Sequence, residues 1–168
     1  SLPIGLVTGG TGNSFMYDLD CLDPVEAAKR IVLGKKRSLD IARVDSNGEI
    51  IYAFNIVGWG LAVDGNLLAE KMRWLGGARY DIAAVLELLK GKKRLAQLII
   101  GDKSYDEDFV FILGCNTIHT GKGMRMAPSA KLDDGKIDLI IVRKANRFSL
   151  LKLFPKLSTG KHIKSPLV

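Results

Sequence analysis

Three glycines crowd the stretch TGGTGNS at residues 8–14: Gly9 and Gly10 precede Thr11, and Gly12 follows it. Glycine tolerates positive φ and admits a ligand close to the backbone, so successive N–H groups here could cradle an oxyanion, with the Thr11 hydroxyl as a further donor. A tight turn from strand to helix would use the same residues. The spacing matches neither a Walker-type phosphate loop nor GxGxxG, so both readings stand.

Arg73 and Arg79 are the second candidate pair. Six residues apart on an unbroken helix, they would point about 240° apart and could not hold one anion. Gly76-Gly77 lies between them, and a chain break there would let both planar guanidinium groups converge on a phosphate. The plainer alternative pairs Arg73 with Glu70 at i, i+3 and leaves Arg79 on a solvated face. Asp64 and Asn66 would share a face if the chain is extended there, and could then bind a polar headgroup. Asp64-Gly65-Asn66 also reads as a turn with Asn66 as a helix N-cap. His119 and His162 have no Ser or Cys partner in view and are expected at the surface. Asp133-Asp134-Gly135 reads as a turn into a strand rather than a metal site.

These residues must be positioned by elements legible in the pattern. LPIGLVT, residues 2–8, is expected as a buried strand, followed by the glycine loop and a short helix from about Asn13. In CLDPVEAAKRIVLG, Asp23 is the expected N-cap, with Pro24 at N1, Glu26 at N3 and Gly34 as the stop. Asn47-Gly48 marks a hairpin turn, and IIYAFNIVGWGLAV is expected as the returning strand. Helices are expected on both sides of Gly76-Gly77, the second lying on a core through Ile82, Val85, Leu86 and Leu89. Strands are expected at RLAQLIIGD, DFVFILGCN, GMRMA and KIDLIIVRK, and a last helix over residues 148–157, broken near Pro155. Consecutive strands without intervening helices indicate an antiparallel sandwich. The expected fold is α+β: residues 1–34 as the end of an N-terminal α/β nucleotide-binding domain, residues 35–168 as an antiparallel β-sandwich with packed helices, truncated at its C-terminus.

Composition narrows the function classes. With 25 basic and 18 acidic residues among 168, the net charge of +7 favours an anionic partner. The basic clusters lack interleaved aromatics, which argues against nucleic acid. No run approaches the roughly 18 apolar residues of a membrane span. Cys21 and Cys115, without metal-ligand spacing, fit a reduced, cytoplasmic setting. Ser1 stands where a start Met would be, directly before an apolar run, which suggests a preceding segment.

Taken together, the chain resembles the diacylglycerol-kinase-like lipid kinases, in the branch of sphingosine and ceramide kinases. PIGLVTGGTGNS is similar to that family's strand and PAGTGN-type nucleotide loop. GWGLAVDGNLLAEKMRWLGGARYD resembles the branch's WG-x3-D-x5-EK-x-RWLG-x-ARYD stretch, and APSAKLDDGKIDLIIVRKANRFSLLKLF its APxAxLxDGxxDLIxVR segment. The resemblance implies that Gly10, Thr11 and Gly12 touch ATP, that Arg73 and Arg79 hold its phosphates, and that Mg²⁺ accompanies the nucleotide. It places Asp64 and Asn66 toward the lipid substrate and implies peripheral contact with a membrane surface. Thr8 and Gly9 replace the usual Pro-Ala of the loop. Asn66 stands where sphingosine kinases carry a headgroup-binding aspartate, an acid that ceramide kinases also lack. The GGDGT-like segment with the catalytic base and the DGE-like nucleotide contact are not among these residues. The base is therefore expected upstream of residue 1, and these residues alone are expected to have little activity. A noncatalytic module binding anionic lipid through a basic rim is the alternative.

Overall fold

The computed structural model describes residues 3–10 and 12–168, without the Lys122 side chain. Its first elements are helices α1 (Ser14–Asp18) and α2 (Pro24–Val32), strands β1 (Ala42–Ser46), β2 (Glu49–Ala53) and β3 (Ile56–Gly60), helix α3 (Leu61–Lys71), a 3-10 segment at Arg73–Ala78, and helix α4 (Arg79–Lys90). Strands β4 (Arg94–Ile100), β5 (Lys103–Cys115), β6 (His119–Thr120), β7 (Met124–Arg125) and β8 (Asp138–Arg143) follow, then helix α5 (Arg147–Leu153) and two 3-10 turns. Antiparallel pairs with packed helices make the fold α+β, as expected.

The chain divides into two compact units. The first spans Ser1–Ile56 and Cys115–Asp138. Asp23 caps α2 by accepting the N–H groups of Val25 at 2.7 Å and Glu26 at 2.9 Å, with Pro24 in the first turn. Glu26 does not reach back to complete a capping box; its carboxylate meets Arg30 Nε at 3.3 Å, an i, i+4 pair. Met16, Cys21 and Ala27 form a small core, with Leu6 and Leu19 against it. Asn47 and Gly48, at φ 54° and 86°, make the tight turn of the β1–β2 hairpin.

Residues 3–9 do not form the strand expected of them. A strand exists through hydrogen bonds to a neighbour, and none of the described strands pairs with this segment. The expected long strand from Ile50 is also interrupted. Asn116 Nδ2 donates to the carbonyls of Phe54 at 3.0 Å and Asp40 at 2.8 Å, and the Asn116 N–H donates to Asn55 O at 2.9 Å. Those backbone acceptors are thus satisfied by a buried amide, and the chain bends between β2 and β3.

The second unit spans Val57–Gly114 and Leu139–Val168. Its sheet has the order β3-β5-β4, with β8 also on β5. Gly60 ends β3 with φ 84° and ψ −140°, and α3 starts at once on Leu61. A Cβ at Gly60 would stand 2.5 Å from Val110 O, so only glycine lets the chain turn there against β5. The helix therefore begins five residues before the expected Asn66 N-cap, and Asp64-Gly65-Asn66 is helical rather than a turn. Helix α4 forms where expected but turns a different face inward. Ala83, Glu87 and Leu88 are buried, whereas Ile82, Leu86 and Leu89 are exposed. Fully buried Ala69 and Ala83 leave room for α3 and α4 to approach closely, and that packing, not the larger apolar stripe, sets the orientation. His162, expected at the surface, is fully buried. The Asn146 side chain caps α5 by accepting the Ser149 N–H at 2.9 Å, and Pro155 falls in a 3-10 turn after it.

Candidate nucleotide and substrate site

The glycine loop lies in the first unit, and Thr11 falls outside the described residues. The loop is anchored at both ends. Thr8 Oγ1 donates to Leu22 O at 3.1 Å, and the Gly10 N–H donates to Asn13 Oδ1 at 3.2 Å. Asn13 itself takes up left-handed backbone, φ 42°, at the entry to α1. Gly5 is needed for packing, because a Cβ there would lie 2.9 Å from Ile31 Cδ1. Gly9, Gly10 and Gly12 differ from it. Gly9 and Gly10 have no positive φ, a Cβ at Gly9 would meet nothing within 4 Å, and at Gly10 and Gly12 the nearest atoms would be 3.6 and 3.9 Å away. Neither strain nor internal crowding accounts for Gly9 and Gly10. A ligand brought close to the main chain would.

The two arginines lie in the second unit, on either side of the kink. Gly76, at φ 57° and ψ −138°, breaks the helical path inside Arg73–Ala78. Both guanidinium groups then reach one carboxylate: Arg73 Nε is 3.3 Å from Glu70 Oε2, and Arg79 Nη2 is 3.7 Å from Glu70 Oε1. The pairing of Arg73 with Glu70 is present, but Arg79 does not lie on a solvated face. Its side chain is only 15% exposed, against 75% for Arg73. Arg79 Nη2 also donates to the Tyr80 hydroxyl at 2.9 Å, and its guanidinium carbon stands 4.7 Å from the Tyr80 ring centre. The hydrogen bond to Tyr80 raises the pKa of Arg79 above its ordinary value, partial burial opposes this, and charge interactions with Tyr80 and Glu70 add to it. The cation is secure at any physiological pH. Its Nε is buried without a hydrogen-bond partner among the described residues. A desolvated donor left unmet is costly, and an anion would supply the missing acceptor.

Asp64 and Asn66 stand two residues apart on α3, about 200° around the helix, so they do not share a face. Both Asp64 oxygens accept from Arg94 Nη2, at 2.9 and 2.8 Å, and the Arg94 guanidinium lies 5.8 Å from the Trp59 ring centre. Asn66 is exposed. Asp64 borders a cleft of about 220 Å³ that is also lined by Leu67, Leu68, Lys71, Glu87, Lys90 and Lys92. Glu87 is buried there, with one carboxylate oxygen on Lys90 and the other lacking a partner among the described residues. Arg94 carries no local motif, since its partner Asp64 comes from α3, whereas Glu87 and Lys90 are an i, i+3 pair within α4.

His119 is not a free surface histidine. Its Nδ1 lies 3.1 Å from Asp18 Oδ2, and the N–H groups of Ile118 and His119 donate to the same carboxylate at 2.7 and 3.1 Å. Asp133 meets Arg37 at 3.3 Å, and Asp134 accepts the Lys136 N–H at 3.1 Å, the turn expected there. Cys21 and Cys115 are free thiols, both buried. Burial, helped by Asp138, pushes the Cys115 thiol up to about 12. Among the described residues no group of three or more His, Cys, Asp or Glu side chains is placed to hold a metal ion, and no helix is long and apolar enough to cross a membrane.

Known proteins share this architecture. Sphingosine kinase 1 of Arabidopsis thaliana is 27% identical over 212 residues, covering 98% of this chain and 43% of the plant protein. A diacylglycerol kinase of Mycobacterium tuberculosis is 30% identical over 167 residues, covering 96% of this chain and 54% of its own. The crystal structure of a diacylglycerol kinase from Bacillus anthracis superposes with a TM-score of 0.65 at 21% identity, over 96% of this chain and 49% of that one, a likeness of fold. The chain thus spans about half the length of the curated relatives it matches. Residues 55–168, which hold the kinked arginine segment, the four-stranded sheet and the closing helix, match the family described as the YegS C-terminal NAD kinase beta sandwich-like domain, and the chain belongs to that family.

Proposed function

We propose that this chain is the C-terminal portion of a lipid kinase that transfers the γ-phosphoryl group of ATP to a primary hydroxyl of a sphingoid lipid such as sphingosine or ceramide. In this reading residues 1–34 close an α/β nucleotide-binding domain and residues 35–168 form the lipid-binding sandwich. The observation that carries the reading is the Arg79 guanidinium, half of a pair gathered on Glu70 by the Gly76 kink and left with a buried, unmet Nε donor. Phosphoryl transfer depends on positioning and charge neutralisation more than on covalent help from the protein, and two such guanidinium groups suit that task.

Gly10, Thr11 and Gly12 would contact the triphosphate, with the glycine positions giving it room. Mg²⁺ bound with ATP would neutralise phosphate charge. The base that deprotonates the lipid hydroxyl would come from a segment outside these 168 residues. The cleft bordered by Asp64 would take the polar headgroup, with Asn66 near its approach. Both Asp64 oxygens are already engaged by Arg94, so Asp64 would shape the cleft through that pair rather than as a free carboxylate. The enzyme would act in the cytoplasm on lipid presented at a membrane surface, to which the lysine rim of that cleft adds attraction.

Radiolabelled phosphoryl transfer to sphingosine, ceramide and diacylglycerol in mixed micelles tests this with the full-length protein. Arg79→Ala should lower kcat by roughly 100-fold or more. Unchanged kcat and KM for ATP would remove the role assigned to Arg79. Salt-sensitive liposome binding without saturable ATP binding would support the noncatalytic alternative instead.

A further inference from the structure

A second glycine-bearing segment, HTGKG at residues 119–123, lies beside the first loop within the same unit. It comprises β6 and the turn to β7, and the register sets His119 opposite Arg125 and Thr120 opposite Met124. A Cβ on Gly12 would come 3.9 Å from Gly121 Cα, so the two segments approach each other at these glycines. Gly123, at φ 73°, would press a Cβ to 2.8 Å from the Tyr17 ring, which fixes this hairpin against α1.

Asp18 at the end of α1 gives the arrangement its chemistry. Its side chain is 4% exposed, and its oxygens accept from the main-chain N–H groups of Ile118 and His119 and meet His119 Nδ1. A carboxylate can only accept, so Nδ1 carries the proton and Nε2 is the ring atom left for another partner. The His119 side chain remains 18% exposed. Directly opposite residues of an antiparallel pair project to the same side, which adds Arg125 to the face that His119 shares. Among the described side chains, the titratable or charged groups that face His119 are Asp18 and Tyr17 from α1, the latter with ring centres 5.5 Å apart, and Arg125 across the hairpin.

We propose that the Asp18–His119 pair is a further phosphate-binding element: His119 Nε2 donates to a phosphoryl oxygen of the nucleotide held at the neighbouring glycine loop, while Asp18 positions the ring. This deepens the ATP reading and rests on it. With Nδ1 engaged by Asp18, the ring can offer Nε2–H only as the imidazolium, lying between carboxylate and phosphate. Nucleotide binding is therefore coupled to proton uptake at His119.

Calorimetric ATP titration of the full-length protein at pH 7.5, repeated in buffers of different ionisation enthalpy, tests this. Proton uptake by the wild type is expected. His119→Gln, whose amide N–H can replace Nε2–H, should bind within a few-fold of wild type without taking up that proton, and His119→Ala about tenfold more weakly. Unfolding curves for both variants separate loss of fold from loss of contact. Saturable ATP binding with the same affinity and proton count in wild type and both variants would overturn this inference and leave the kinase reading intact. No saturable ATP binding by well-folded wild type would overturn both.

Discussion

Glu70 sits where two guanidinium groups meet, and its contribution is to orientation rather than to stability. Exposed ion pairs stabilise by only about 0–1 kcal/mol. Glu70→Gln should therefore leave the unfolding midpoint nearly unchanged, while the freed arginines raise KM for ATP several-fold in steady-state assays. An unchanged KM would show that the shared carboxylate does not organise them. The Cys115 thiol gives a pH-linked counterpart. Its pKa is raised from an ordinary 9.0 to about 12, so between those values the unfolded thiol ionises and the folded one does not. The unfolded state then binds fewer protons, and stability is lost as pH rises from about 9 toward 12. Cys115→Ser should flatten that part of a denaturant-unfolding profile, and alkylation of native protein at pH 8 should leave Cys115 unmodified. Arg73 with Glu70 was legible from i, i+3 spacing. The histidines were not, because the partners of His119 come from Asp18, 101 positions away in sequence, and burial of His162 is set by the packing of the final turns.

At the scale of elements, the glycines separate into those the fold needs and those a ligand would need. Gly60→Ala places a Cβ against Val110 O in a backbone region suited to glycine, and should cost roughly 2–4 kcal/mol in urea unfolding. Gly9→Ala meets open space without a positive φ and should change stability by less than about 1 kcal/mol. If the loop is a phosphate cradle, the same change weakens ATP binding; undiminished affinity would make the loop only a connection. Local chemistry foretold α2 from Asp23 and Pro24, and the hairpin from Asn47-Gly48. It did not foretell the start of α3, because what makes Gly60 obligatory is a carbonyl fifty residues further on. It did not foretell the inward face of α4 either, since Ala69 on another helix decides which residues of α4 can approach. The apolar run near the beginning reads as a strand, but a strand needs a partner, and the pattern of one segment does not supply it.

For the whole molecule, the α+β class followed from consecutive strands with few intervening helices, and the family assignment rests on residues 55–168. The +7 charge suits both a polyphosphate and an anionic surface and does not choose between them. The triphosphate reading assigns the Arg79 guanidinium, gathered with Arg73 on Glu70, to a phosphate of the ligand. A crystal structure of the full-length protein with a non-hydrolysable ATP analogue tests that most directly. The account predicts phosphate oxygens within about 3.2 Å of the Arg79 guanidinium. Phosphates bound elsewhere, with Arg79 still facing only Glu70 and Tyr80, would contradict it.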